Sequence, residues 1–442
     1  MTIAYSSLNH ALRVPLAAEI HSRPFLKLAA PEAISHLAVY RESEAGPPNA
    51  NALYQHVTLA ALCLHFGVAA PAVGSSYFYH DFGRFRLKWE CHTEFATYTF
   101  AEQLDDMLPA AEAFGRMPLD HLPQQWLLSL QGQLMVAAHV ILERGDGSQE
   151  GPHRAFEGTM LVGGSVMQGA QLWTDFAIQS DGLSRFVIRD VGMRAQQAGR
   201  LVQRVLEIET YRMMALLGLP SALRAAADLN QIEIELAALA NAMVATDATP
   251  ADDRKANEGS ERALLDQITR LAARLEKLSL DNSYRFSASR AYFGLVNARI
   301  EELREVRIEG VPTVEEFMDR RLAPAMSTCD AMAARQDALG RRIANTNDLL
   351  RTRVGIVQEM QNRQILQSMN SRALQALRLQ QAVEGLSVAA ISYYVIGLVS
   401  YSSKAAKVLG ISVNPEILVG ALVPFVAAAV WLSLRQMHKR MH

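Results

Sequence analysis

In Trp89–Phe95, WECHTEF, side chains able to hold a metal recur at every second position: Glu90, His92 and Glu94. Residues two apart on a β-strand point to the same face, so a strand here aligns all three. Imidazole with two carboxylates is a donor set for a divalent metal. The same alternation equally makes a solvated, ion-paired strand face.

Other chemistry-bearing residues are more scattered. In HSRP (His21–Pro24), His21 and Arg23 can hold an anion or simply shape a turn. WTDF (Trp173–Phe176), followed by Asp181-Gly182, reads as strand, turn, strand. The Asp175 carboxylate there either accepts backbone hydrogen bonds or acts as a catalytic acid. Arg200, Arg204, Glu207 and Arg212 have the spacing of intrahelical ion pairs.

Motifs for common catalysis and cofactor binding are missing. The chain has no GxxxxGK[ST], HExxH or GxSxG, and no GxGxxG after a strand. Gly163-Gly164 reads as a hairpin turn. The three cysteines, Cys63, Cys91 and Cys329, contain no CxxC pair, so no zinc ribbon or thioredoxin-type motif is present. No catalytic residue and no cofactor is predicted, and the net charge of −2 suggests no nucleic-acid partner. The N-terminus lacks a basic start followed by an apolar run. With thiols kept reduced, the large domain is expected in the cytosol.

A chain of 442 residues exceeds one hydrophobic core. Short alternating runs at 34–40, 133–142, 158–167, 170–179 and 185–190, with two more between Phe85 and Phe100, predict strands separated by Gly, Asp and Ser turns. An amphipathic helix covers Ala52–Val68. Short connections favour a mixed, mostly antiparallel sheet carrying a few helices, an α/β domain over 1–218. Helices follow at Ala195–Leu217 (ended by Gly218 and Pro220), Ser221–Val244, Ser260–Ser279 and Ser287–Arg307. Residues 219–312 read as a helical hairpin region around the polar Thr246–Gly259 segment.

From Val314 the helical pattern continues, with only Pro324, Gly340 and Gly355 as interruptions. Unbroken from Pro324 to Ser403, such a helix reaches ~120 Å. Residues 313–384 therefore read as a stalk. Leu322, Cys329, Ile343, Leu350 and Val357 recur at multiples of seven, beside Asn347, Val354, Gln361 and Ser368. Polar positions in such a seam can fix register and oligomer number, so a homo-oligomer is expected, with an intrachain bundle as the alternative.

Glu384 and Lys404 enclose nineteen uncharged residues, and Ile417–Leu434 is a second uncharged run thirteen residues later. About 18 or more such residues span the hydrocarbon layer as a helix. Residues 385–434 thus predict a two-helix transmembrane hairpin, followed by a basic tail at 435–442. Basic residues on both flanks favour cytosolic N- and C-termini with a short external loop. Arg351–Glu384 holds five arginines and two glutamates. Its juxtamembrane Arg363, Arg372 and Arg378 suit anionic membrane lipids or, in a ring, an electropositive vestibule. Ser387, Ala390, Tyr394, Gly397 and Tyr401 form one helical stripe that either packs helix on helix or lines a pore.

Several segments resemble a bacterial membrane-anchored family, domain-of-unknown-function family 3422. They include AEIHSRPF (18–25), KWECHTEFATYTF (88–100), QLWTDFAIQSDG (171–182), GRLVQRVLEIETYRMMALLGLP (199–220), RFSASRAYFGLV (285–296), EFMDRRLAPAMSTCDA (316–331), LLRTRV (349–354) and LRLQQAVEGLSVAAISYYVIGL (377–398). The resemblance implies a cytosolic domain with C-terminal spans in the bacterial inner membrane, and carries no activity or site. The layout is also similar to CorA-type magnesium channels, which need Gly-Met-Asn where this chain has Tyr401-Ser402-Ser403-Lys404. Two functions are expected. One is a membrane-anchored sensor, scaffold or interaction module; the other is a CorA-like oligomeric ion channel or transporter without that motif. The ligand or ion is not legible.

Overall fold

The computed structural model describes residues 8–14, 16–17, 24–41, 50–104, 108–145, 151–158, 160–194, 196–247, 254–408 and 415–441. HSRP falls largely outside them. The chain divides into two compact units, Met1–Ala248 with Asp266–Thr346, and Thr249–Leu265 with Asn347–His442.

The first unit is built on a sheet whose strands are β1 (Glu32–Tyr40), β2 (Tyr77–Asp81), β3 (Arg86–Cys91), β4 (Phe95–Gln103), β5 (Leu134–Arg144), β6 (Val162–Val166), β7 (Ala170–Ile178), β8 (Ser184–Asp190) and β9 (Val306–Arg307). Their order is β2-β3-β4-β1-β5-β8-β7-β6-β9. All neighbours are antiparallel except β5 and β8, which run parallel. This is the mixed, mostly antiparallel sheet that the turn-rich spacing predicts.

β1 sits near the middle and is buried on both faces, as is most of β4. Period-2 alternation sorts their side chains. Leu37, Leu87, Trp89, Tyr98 and Phe100 point to one face, where they pack with Leu59 and Leu62 of α1 (Ala50–His65). Trp126 of α3 (Gln124–Ser129) joins them there, and the short α2 (Ala110–Ala113) lies elsewhere on the sheet. Ile34, Ala38, Phe95 and Ala101 point to the opposite face, which packs with Leu201, Val202 and Val205 of α4 (Gln197–Leu216).

Gly163 and Gly164 lie inside β6, not in a turn. The hairpin turn falls at Met167–Gln168, both with positive φ. Glycine is needed in the strand for space, since a Cβ on Gly163 would lie 2.0 Å from the Leu172 carbonyl oxygen.

α4 ends before Gly218, and α5 (Gly218–Asp247) begins at once with Pro220 in its first turn, where proline's missing N–H has no helical partner to lose. The two helices expected at 260–279 and 287–307 are instead one, α6 (Arg254–Leu303). The polar run around Asn282 does not break it: the Asn282 amide donates to the Leu278 carbonyl one turn back. α7 (Val314–Arg321) starts from Thr313, whose hydroxyl accepts from the Glu316 N–H while Glu316 accepts from Thr313. That reciprocal cap satisfies two donors at the helix start.

α8 (Ala323–Val408) is a single helix of 86 residues, the long helix that the pattern from Val314 predicts. Pro324 falls in its first turn, and Gly340 and Gly355 leave it unbroken. α9 (Pro415–Met441) follows and contains Pro424. α8 includes a segment long and apolar enough to cross a membrane, and a shorter apolar stretch covers Val419–Ser433. Leu322, Cys329, Ile343 and Leu350 of the sevenfold seam are buried within the single chain. Beyond Gln361 the helix surface is exposed as far as Val383.

Candidate functional site

The expected single face of Glu90, His92 and Glu94 does not form. β3 ends at Cys91 and β4 begins at Phe95, so only Glu90 lies on a strand and the other two belong to the hairpin connection. Glu94 turns away to pair with Arg285 of α6. Its charge, after the larger effect of burial, raises the Tyr284 and Tyr292 hydroxyls above the usual phenol range. With Arg224 and Asp228 it lines a recess of about 810 Å³. Among the described residues no group of three or more His, Cys, Asp or Glu is placed to hold a metal.

Glu90 and His92 face a different space, a cavity of about 250 Å³ between the sheet and α4. Strand register builds its floor. His36 on β1 is opposite Thr99 on β4, and Thr99 is opposite Lys88 on β3. One row on, Thr97 is opposite Glu90. Five polar side chains thus share a sheet face that is otherwise core, under an amphipathic helix. Burying such groups is unfavourable unless each finds a partner.

Partners are present. Lys88 is 4% exposed and its Nζ lies 3.1 Å from Glu90 Oε2. The same ammonium donates to Gln203 Oε1 at 3.2 Å, and Gln203 Nε2 donates to Glu207 Oε1 at 2.7 Å. Glu207 pairs in turn with Arg299 of α6. Arg299 also reaches Glu302, which pairs with Arg204. The Arg204 and Glu207 pairs therefore join two helices, and Arg212 pairs within its helix with Glu209, a residue outside the expected set.

His36 closes the buried end. Its Nδ1 lies 2.9 Å from Thr99 Oγ1 and its Nε2 lies 3.1 Å from Thr210 Oγ1. Burial first, then the nearby charges of Lys88 and His92, lowers its pKa to about 3. His36 is neutral at physiological pH. Leu26, Leu28, Phe95, Val202 and Leu206 supply an apolar side. α4 comes this close because residue 199 is glycine: a Cβ there would lie 1.8 Å from the Leu26 carbonyl oxygen.

The remaining sequence candidates lie apart from the cavity. Asp175 is a backbone acceptor, taking N–H groups from Gly158 and Ala177, and it also accepts from the Gln179 amide. Ser387, Tyr394, Gly397 and Tyr401 lie along α8, with Tyr394 71% and Tyr401 75% exposed. Ser392 and Ser403, on another face of that helix, are buried instead. Cβ atoms added at Gly397 or Gly420 would meet nothing within 4 Å, so neither glycine mediates close helix contact inside the chain. Arg363, Arg372 and Arg378 are exposed, Arg363 in an i,i+4 pair with Glu359.

Lys88, Thr97 and Thr99 were missed from the sequence although a signal exists. RLKWEC and FATYTFA alternate polar with large apolar residues, and the polar set is the one under α4. Gln203 sits on the sheet-facing side of an ordinary-looking helix, and only the packing reveals it and the place of Glu207 in the cavity.

A family model described as "Protein of unknown function (DUF3422)" matches residues 8–441. No curated protein matches the chain. Among solved structures, the full-length CmaX protein is similar at 13% identity, covering 69% of this chain and 89% of that chain with a TM-score of 0.16. A superposition that poor bears on neither the fold nor the site.

Proposed function

The chain belongs to the DUF3422 family of proteins of unknown function, and from that premise we propose a membrane-anchored sensor whose N-terminal unit binds a small ligand. The observation that carries this reading is the polar cavity of about 250 Å³ beneath α4. Concave sites with a few placed polar groups and an apolar side are where small molecules bind. The anchor is the apolar part of α8 together with α9, in the bacterial inner membrane with both ends cytosolic. Arg363, Arg372 and Arg378 would contact anionic headgroups.

The test is thermal unfolding of the full-length protein in detergent against a library of small polar metabolites. The expected result is saturable stabilisation by at least one compound, lost in Thr97→Phe, which fills the cavity. No saturable compound, or equal stabilisation of the filled variant, overturns the reading.

One observation favours a second reading, an oligomeric conduit without Gly-Met-Asn. Tyr394 and Tyr401 are exposed in the single chain, while Ser392 and Ser403 are not. A phenol in hydrocarbon needs a hydrogen-bonding partner, which further copies around an axis would supply. Lys404 beside the mouth disfavours cations. Ion flux in liposomes together with the oligomer number separates this reading from the sensor.

A further inference from the structure

Gln203 occupies an unusual position. Lysine has only donors and a carboxylate only acceptors, so the amide's orientation follows from its neighbours. Its oxygen accepts from Lys88 Nζ at 3.2 Å and its nitrogen donates to Glu207 Oε1 at 2.7 Å. The carboxamide therefore presents its negative end to a cation and its positive end to an anion. It stands in the cavity as an uncharged counterpart of a molecule carrying both charges.

Apart from the imidazole of His92, which also lines the space, the charges on the wall balance: Lys88 and Arg299 oppose Glu90 and Glu207, and His36 is neutral. A ligand with one net charge would bring a charge that this wall does not complement, which is unfavourable in a partly enclosed site whose Arg299 and Glu207 are 28% and 20% exposed. A net-neutral ligand leaves the balance intact. At about 250 Å³ the space is close to the lower end of the range of small-molecule pockets. Leu26, Leu28 and Phe95 offer an apolar side chain a place to pack.

We propose that this cavity binds a compact zwitterion of the α-amino acid class with an apolar side chain. Its carboxylate takes the place of the Gln203 oxygen at Lys88, and its ammonium takes the place of the Gln203 nitrogen at Glu207. The inference rests on the sensor reading and adds the ligand class to it.

Titration of the full-length protein in detergent uses three probes of matched shape: leucine, isoamylamine (ammonium only) and 4-methylpentanoate (carboxylate only). Leucine binds saturably, and the other two bind at least ten-fold more weakly. Gln203→Ala keeps or tightens leucine binding, because the residue displaced is already gone. Glu207→Gln weakens it at least ten-fold. Equal binding of the amine or the acid, or a ten-fold loss in Gln203→Ala, overturns the proposal. If all three probes fail while a compound of another charge class binds and Thr97→Phe blocks it, the zwitterion falls and the sensor stands. If nothing binds at all, both fall.

Discussion

His36 Nε2 lies 3.1 Å from Thr210 Oγ1 and thereby joins the central strand β1 to α4. The imidazole in this contact is uncharged, since burial holds its pKa at about 3 against an ordinary 6.5. His139, hydrogen-bonded to Ser35 at 3.1 Å, is held at about 4 by the same cause. Below pH 6.5 the unfolded chain takes up protons that these folded sites refuse. Their stabilising effect is complete above pH 6.5 and declines as pH falls towards 4 and then 3. Each histidine accounts for up to about 1.4 kcal/mol per pH unit. Melting temperatures measured from pH 7.5 to 5 should fall, and His36→Gln should flatten the slope. An unchanged slope removes His36 as the source.

Lys88 and Glu90 stabilise mainly by compensating one another. Lys88→Met takes the ammonium away from the Glu90 carboxylate in a site 13% exposed. Removing one charged partner of a mostly buried group costs about 1–3 kcal/mol. Lys88→Met combined with Glu90→Met should recover much of that loss, because a buried pair replaced by apolar volume is often neutral. Thermal unfolding of the two single variants and the double variant measures the coupling directly.

Two helical glycines should respond in opposite directions to alanine. A Cβ at Gly199 would strike the Leu26 carbonyl oxygen, which is backbone and cannot yield cheaply, whereas one at Gly294 meets nothing within 4 Å. Gly199→Ala should destabilise by about 3 kcal/mol or more, the range of severe overpacking. Gly294→Ala should be neutral or stabilise by up to about 1 kcal/mol through helix propensity. Soluble yield and melting temperature read both.

The strands were legible because period-2 alternation and turn residues mark each one, as in ISHLAVY and RFVIRD. What misled was local pattern without register. Glu90, His92 and Glu94 alternate as strand residues do, yet the chain reverses between Cys91 and Phe95, and only the pairing of β3 with β4 shows it. Gly163-Gly164 looks like a turn in sequence and is a strand packed against Leu172. The cavity itself depends on His36, Lys88 and Thr99, which are far apart in the chain and meet in one row across three strands. No spacing rule along a single segment contains that row.

The apolar part of α8 provides the fourth prediction. Leu398 is 68% exposed in the single chain. If that surface faces lipid, Leu398→Arg, about a turn from the centre of the span, costs up to about 2.5–3.5 kcal/mol for insertion. The natural protein should stay with membranes after carbonate extraction, and the variant should be partly released. Complete release of the natural protein would refute the anchor.

The placement of β1 has a consequence for synthesis on the ribosome. It is the first strand among the described residues, yet Glu32 pairs with Gln103 on one side and with Leu142 on the other. At roughly 5–20 residues per second, the nascent chain exposes this sticky apolar ribbon for on the order of ten seconds before its second flank emerges. The apolar stretch after Glu384 emerges far later, so the sheet can close before that stretch leaves the ribosome. Residues 32–40 are therefore a part of the sheet whose pairing waits on synthesis as far as β5.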